Sequence, residues 1–170
     1  RDIIDWVKAA DADSVVWHST NHTKVNAAGM EMTVGVGGYN WIRRAELSYS
    51  FTDVTTDAGE MMSMYALDYL RHKLTLNLEH KIYKGFGAAW ALSLRSRRGE
   101  YTSLEGNIET YQPVLLLDGK LYWSNSLLEV SVSARNMTNR LYYDFSGVVQ
   151  PQHWVAATVK FNLHAGFAHQ

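Results

Sequence analysis

The stretch "RHKLTLNLEHKIY", residues 71–83, alternates almost without a break. Leu74, Leu76, Leu78 and Ile82 share one parity; Arg71, Lys73, Thr75, Asn77, Glu79 and Lys81 share the other. Successive side chains of a strand point to opposite faces, so the segment predicts a strand with one apolar and one charged side. His72 and His80 fall on the apolar parity, each near a strand end, where an interfacial position tolerates them. They are too far apart, and on the wrong side, to read as a metal pair.

The same period runs outward in both directions. "GMEMTVGVG" sets Met30, Met32, Val34 and Val36 against Glu31 and Thr33. "WIRRAELSYSF", "FGAAWALSLRSR", "YQPVLLLDGKLYW", "LLEVSVSAR" and "WVAATVKFNL" repeat the pattern, the fourth of these less cleanly. With a short first strand at residues 3–7, roughly eight strands are predicted. Tight turns are expected at 37–40, 84–85 and 124–126, and "GVGG" at 35–38 reads as a turn rather than a phosphate loop. Long polar loops are expected at about 8–23, 55–69, 98–110 and 137–152. Short turns therefore fall at one end of the sheet and long loops at the other. The predicted fold class is all-β, an antiparallel up-and-down arrangement.

The chain has 170 residues, enough for one domain of ordinary size, and a net charge of −1. That balance argues against a nucleic-acid partner, which needs a basic excess. There are no cysteines, so disulfides and thiolate metal sites are excluded. No apolar run is long enough for a membrane helix. The opening "RDIIDWVKAA" has no apolar core of a signal peptide and reads as the middle of something, a mature fragment or truncated segment.

Alternation alone does not say which side meets water. Three features point to a transmembrane barrel. The strands are long, the two kinds of connection are segregated, and aromatics (Trp41, Phe51, Tyr111, Trp123, Phe161) sit near the ends of the apolar faces like interfacial girdles. Charges keep to the polar parity: Glu31, Arg44, Glu46, Arg71, Lys73, Glu79, Lys81, Arg95, Arg97, Asp118, Lys120, Glu129, Arg135 and Lys160. A lipid-facing Arg or Lys at mid-bilayer costs about 2–4 kcal/mol, which would select such purity. Only Arg43 breaks rank, beside a short turn, from which it is expected to snorkel to the interface. A soluble sheet also keeps charge out of its core, so a soluble ligand-binding barrel such as a lipocalin stays open; there the apolar face would line the pocket.

Three stretches carry a family likeness. "STNHTKVNAAGMEM", with Gly29, Met30 and Glu31, resembles the strand of TonB-dependent outer-membrane receptors in which an Asn-rich loop leads into Gly-hydrophobic-Glu. "RDIIDWV" resembles the strand before it. "ARNMTNRLYYDFSGVVQPQHWVAATVKFNL" resembles the closing hairpin, with landmarks Asn136, Asn139, Tyr142, Gly147, Pro151, Trp154 and Phe161. The pattern is most similar to the cobalamin receptors of the Bacteroidetes kind. Two departures stand out: Gln152 and His153 follow Pro151 where the family often has Gly-Arg, and "HAGFAHQ" follows Leu163 where it usually ends on an aromatic.

The resemblance implies a barrel of about 22 strands, closed by a plug domain, of which residues 1–163 supply the C-terminal part. Residues 164–170 are a tail of unknown role. It implies active transport of a scarce nutrient across the Gram-negative outer membrane. Cobalamin is favoured, with siderophore, haem or glycan as alternatives. The implied partners are the lipid bilayer, the remaining strands and plug, TonB through a missing N-terminal part, and a surface lipoprotein lid. Glu31, Arg44, Glu46, Arg71, Lys73, Glu79, Lys81, Arg95 and Arg97 would form a lumen-facing polar wall. Ligand contact is expected from the loops, with Trp17, His18, Met61, Met62, Met64, Tyr65, Tyr142 and Tyr143 as candidates, because aromatic and Met side chains make adaptable surfaces. Asp11 and Asp13 in "ADADS" are weak calcium candidates through oxygen ligands; no other metal or cofactor is expected. No nucleophile–base–acid constellation is present, so no catalytic residue and no enzyme is expected. A self-contained small outer-membrane barrel with a structural or adhesive role is the remaining alternative.

Overall fold

The computed structural model describes residues 3–9, 16–22, 25–56, 61–63 and 68–162. In chain order the strands are β1 (Ile3–Ala9), β2 (His18–His22), β3 (Val25–Tyr39), β4 (Ile42–Thr56), β5 (Met61–Ser63), β6 (Tyr69–Tyr83) and β7 (Phe86–Arg98). They continue as β8 (Glu100–Thr102), β9 (Ile108–Thr110), β10 (Val114–Ser124), β11 (Leu128–Arg135), β12 (Tyr142–Asp144), β13 (Val148–Gln150) and β14 (Trp154–Phe161), with a 3-10 turn at Phe145–Gly147.

Seven of these form one antiparallel meander, in the order β3-β4-β6-β7-β10-β11-β14. Three smaller sheets accompany it: β2-β1-β5, β8-β9 and β12-β13. Two expectations are corrected here. The first strand does not join the main sheet but pairs with β2 and with β5. The long connections, expected as loops, contain β2, β5 and the hairpins β8-β9 and β12-β13. Strands of three residues are too short to show a period, which is why the sequence hides them. Among the described residues the edge strands β3 and β14 each pair on one side only, and the main sheet does not close on itself.

Register follows the alternation. One apolar row runs Val34, Leu47, Leu76, Leu92, Leu117 across five strands. The next runs Met32, Tyr49, Leu74, Leu94, Leu115, with the polar row Thr33, Ser48, Thr75, Ser93 between them. The first short connection differs from expectation: residues 35–38 stay in β3, and the reversal falls at Asn40 and Trp41. Asn40 takes φ 52° there, a left-handed value that Asn tolerates better than most residues. Lys84 (φ 34°) and Gly85 (φ 87°) form the two-residue turn between β6 and β7, the conformation that matches strand twist.

The apolar face is bare. Among the described residues the buried hydrophobic side chains are Val7, Ala88, Tyr101, Tyr111, Leu116 and Tyr122. Met30, Met32, Val34 and Val36 are each more than half exposed, as are Leu121, Val155 and Val159. An apolar surface of this extent needs a cover, since soluble monomers rarely expose patches beyond a few hundred Å².

Candidate functional site

The polar side of the sheet forms a concavity of about 580 Å³. Its wall takes Arg44 and Glu46 from β4, Asn77 and Glu79 from β6, Ala89 and Ala91 from β7, Asp118 and Lys120 from β10, Ser131, Ser133 and Arg135 from β11, and Thr158 from β14. Six adjacent strands contribute, so the sheet bends around its polar face. The concave side is polar and the convex side is apolar.

Charges on this wall are largely compensated in place. Arg44 Nη2 meets Glu46 Oε2 at 2.6 Å, and Lys120 Nζ meets Glu129 Oε1 at 2.6 Å. Arg43 does not snorkel: a bulge between Ile42 and Arg44 inserts it as an extra residue. This puts Arg43 beside Glu79 (3.6 Å) and over the ring of Tyr122 (5.6 Å), both on the polar side. A bulge shifts parity by one residue, so alternation alone misassigns the position. Tyr122 lies over Gly87, where an added Cβ would come within 2.4 Å of the ring, and its hydroxyl donates to Glu79 Oε1 at 2.7 Å.

The apolar side mirrors this device. Trp90 covers Gly119, where a Cβ would meet the indole at 2.8 Å, and its Nε1 donates to His80 Nε2 at 3.2 Å. Trp41 meets the same imidazole edge-on, with centroids 5.4 Å apart. His72 Nδ1 shares a 2.9 Å hydrogen bond with the Tyr49 hydroxyl and packs on Phe51. Both histidines of the apolar face therefore have a hydrogen-bonding partner on that face. Aromatics collect at the short-turn end, where Tyr39, Trp41, Tyr83, Phe86 and Phe161 are exposed. Tyr111, expected among them, is not on the rim.

Tyr111 instead belongs to a buried cluster at the long-loop end. Its hydroxyl donates to Asp68 Oδ2 at 2.8 Å and accepts from the Gly147 amide at 2.9 Å. Asp68 also accepts from Arg97 Nη1 (2.8 Å) and from the Ser146 amide (2.6 Å). Arg97 reaches Asp144 with its other terminal nitrogen, and Arg95 Nη1 lies 3.6 Å from the same carboxylate. Tyr101 stacks on Tyr111 and on Tyr143, with centroids 4.8 and 4.2 Å apart, and its hydroxyl donates to Glu109 at 3.1 Å. Three long connections thus meet on two arginines of β7. Burial, then the neighbouring Asp68 carboxylate, pushes the Tyr111 phenol well up. Burial and the Glu109 carboxylate push Tyr101 up to about 12.

A second knot ties β11 to β10. Asn136, buried and at φ 48°, donates from Nδ2 to the carbonyls of Arg140 (2.7 Å) and Pro151 (3.1 Å). Its Oδ1 accepts from the Arg140 amide (3.0 Å) and from the Thr138 hydroxyl (3.1 Å), while its own amide donates to Asp118 Oδ1 (2.8 Å). Asn139, also left-handed at φ 49°, accepts from the His153 amide at 3.3 Å.

Of the residues singled out for the loops, His18 is exposed, and Trp17, Tyr142 and Tyr143 are half-buried. Tyr143 is engaged by the Tyr101 stack. Met61 and Met62 lie in β5, and their side chains are outside the described residues, as are Met64, Tyr65, Asp11, Asp13 and residues 164–170. Of the polar-wall residues, Arg44, Glu46 and Glu79 line the concavity. Arg71 pairs with Asp53 at 3.3 Å, and Arg95 and Arg97 hold the loop cluster. Glu31, Lys73 and Lys81 are exposed residues of β3 and β6. Sequence reading missed Asp68 and Asp144, and marked Asn136 by likeness alone, without its hydrogen-bonding role. The only signal for Asp68 and Asp144 was a pair of arginines, Arg95 and Arg97, without a carboxylate at the registered positions of β6 and β10.

Among the described residues no three His, Asp or Glu side chains converge as a metal site. The geometry offers fixed dipoles and paired charges on one face and a broad exposed apolar surface on the other. No family model, no curated protein and no solved structure matches the chain.

Proposed function

We propose that this chain is the C-terminal part of the barrel of a TonB-dependent outer-membrane receptor and serves active uptake of a scarce nutrient, cobalamin being favoured. The observation that carries the reading is the sense of curvature. A lipocalin-like soluble barrel turns its apolar face inward; here the polar face is concave and the apolar face is convex and bare. Lipid is the cover that suits a convex apolar surface. From Met30 to Tyr39 the apolar face of β3 spans about 30 Å along the strand, or roughly 23 Å along the normal at the usual tilt, close to an outer-membrane apolar band. The hydrogen-bonded His72 and His80 fit the same cover, because an unpartnered ring nitrogen is costly in hydrocarbon.

Two further features favour a segment of a larger barrel over a small closed one. The edges of β3 and β14 are unpaired with each other, and open edges cannot face lipid. The likeness of the closing hairpin to receptor sequences supports the larger barrel. Transport here breaks no covalent bond. Solute would be met by the long connections, and the polar wall would keep a wet passage beside the plug. Siderophore, haem and glycan receptors would use the same wall, so the favoured solute rests on sequence likeness.

The test adds single cysteines to a stretch that has none of its own. In the full-length protein in its native membrane, Asn77→Cys should take up a charged maleimide above the background of the unaltered protein, and Leu76→Cys should not, because a thiol held in hydrocarbon does not ionise to the reactive thiolate. Labelling of Leu76→Cys as fast as that of Asn77→Cys would overturn the membrane reading. Growth on limiting cobalamin, ferric siderophore, haem or glycan, with and without the gene, then distinguishes the solutes.

A further inference from the structure

We propose that Arg95 and Arg97 form a binding site for an oxyanion, carboxylate or phosphate, which the chain itself fills with Asp144 as an exchangeable internal occupant. The site is local to this chain and does not depend on the membrane reading. Two guanidinium groups of one strand converge on a single carboxylate from a hairpin that begins seven residues beyond the end of β11. To reach them the hairpin crosses the end of β10, which lies between β7 and β11.

The two acids of the cluster differ in kind. Asp68 has a side chain 1% exposed and accepts from Arg97, Tyr111 and the Ser146 amide, so it is fixed. Asp144 has a side chain 31% exposed and stands on a three-residue strand; its Oδ1 accepts from Arg97 and, at 2.9 Å, from the neighbouring Phe145 amide, so among the described residues no other segment but β7 holds its carboxylate. Its contact with Arg95 is loose at 3.6 Å, and Arg95 is itself one-third exposed. Arg95 spends its Nε on Ser93 Oγ at 3.1 Å and meets Asp144 through a terminal nitrogen. A guanidinium offers five donors in a fork that suits a carboxylate or phosphate edge. Each guanidinium gives Asp144 one terminal nitrogen, which leaves donor capacity for a larger oxyanion. The hairpin also carries a strained reversal: Ser146 (φ 57°) and Gly147 (φ 70°) are successive left-handed residues. Strain of this kind is found where a segment has a second arrangement within reach. An arriving oxyanion would take the place of the Asp144 carboxylate, and the hairpin would lift, giving up the Ser146 and Gly147 amide bonds, while Asp68, still held by Tyr111, kept Arg97 in position.

The experiment titrates the full-length protein in micelles with inorganic phosphate and, separately, citrate, at constant ionic strength, by calorimetry. An internal occupant lowers apparent affinity by the fraction of time the site is free, so Asp144→Asn should bind at least about tenfold tighter than the unaltered protein. Adding Arg95→Gln to that variant should remove the gain. Binding of phosphate, citrate or both supports the site and assigns its preferred class. No binding by a folded Asp144→Asn variant, or a gain that survives Arg95→Gln, overturns it. A second measurement needs no Asp144 variant: amide exchange across residues 142–150 should quicken with added anion in the unaltered protein and not in Arg95→Gln. Unchanged exchange in both, at saturating anion, also overturns it.

Discussion

The hydroxyl of Tyr122 donates to Glu79 across the bare backbone of Gly87, linking β10 to β6 over the strand that separates them. The missing side chain is what permits the crossing. Gly87→Ala would drive a methyl into the Tyr122 ring, which is 7% exposed and has Arg43 above it. Overpacking of this kind costs about 1–3 kcal/mol. Tyr122→Phe keeps the ring and loses one hydrogen bond, about 1 kcal/mol. The urea midpoint of the folded protein should therefore fall further for the glycine variant than for the tyrosine one. The reverse order would mean that the ring is not seated on Gly87.

Neighbouring residues of β6 give the sharpest contrast between lipid and water as the cover of the apolar face. Leu76 is 43% exposed, so in a water-facing sheet Leu76→Arg would be close to neutral. Against hydrocarbon the same change costs about 2–4 kcal/mol at mid-bilayer. Asn77→Arg, on the concave polar side, is expected to be tolerated in either case. The measurement is the yield of heat-resistant, membrane-integrated protein for each variant. Equal yields would leave lipid without a role.

The tyrosine stack sets a pH limit on the loop cluster. Burial, then the Glu109 hydrogen bond, raises the Tyr101 phenol from 10.0 to about 12. The folded state thus holds this proton more tightly than the unfolded chain does. The resulting stabilisation is complete below pH 10 and is lost as pH rises from 10 to 12. The tyrosinate absorbance should show a late component in this interval, and Tyr101→Phe should remove part of it. Glu109→Gln should move that component to lower pH, since it removes the nearby negative charge. Complete titration of every tyrosine near the ordinary value would contradict the stack.

The main sheet was legible because alternation is a direct consequence of strand geometry, and Leu74, Leu76, Thr75 and Asn77 fall where their parity puts them. Arg43 was not, because a bulge is a backbone event that leaves no mark in the pattern of side-chain types. Tyr111 resembled an interfacial aromatic because nothing nearby in sequence announces its partners. Asp68 is 43 residues away, and the Gly147 amide is 36 away. The same holds for Asp144 and Arg97, separated by 47 residues. Polar clusters assembled by loop convergence depend on where the sheet brings the loop ends, which local sequence does not encode. The landmark asparagines stood out by likeness before any physical reason for them was visible.

Asn136 now has such a reason, and it makes a graded test. Its amide satisfies two carbonyls, and its oxygen accepts from a backbone amide and a hydroxyl, all in a buried setting. Its backbone is left-handed at φ 48°. Asn136→Gly removes the amide but fits the backbone, leaving buried groups unpaired at about 2–3 kcal/mol. Asn136→Ala adds the left-handed penalty, about 1–2 kcal/mol. Asn136→Asp keeps the acceptor but turns a carboxylate toward the carbonyls of Arg140 and Pro151, beside Asp118, and should be at least as harmful as Ala. Arg140 supplies the readout, because its carbonyl and amide are both held by Asn136. Cleavage by trypsin after Arg140 should be slow in the unaltered protein, faster in the Gly variant, and fastest in the Ala and Asp variants. A Gly variant as resistant as the unaltered protein would show that the side-chain amide does not hold this connection.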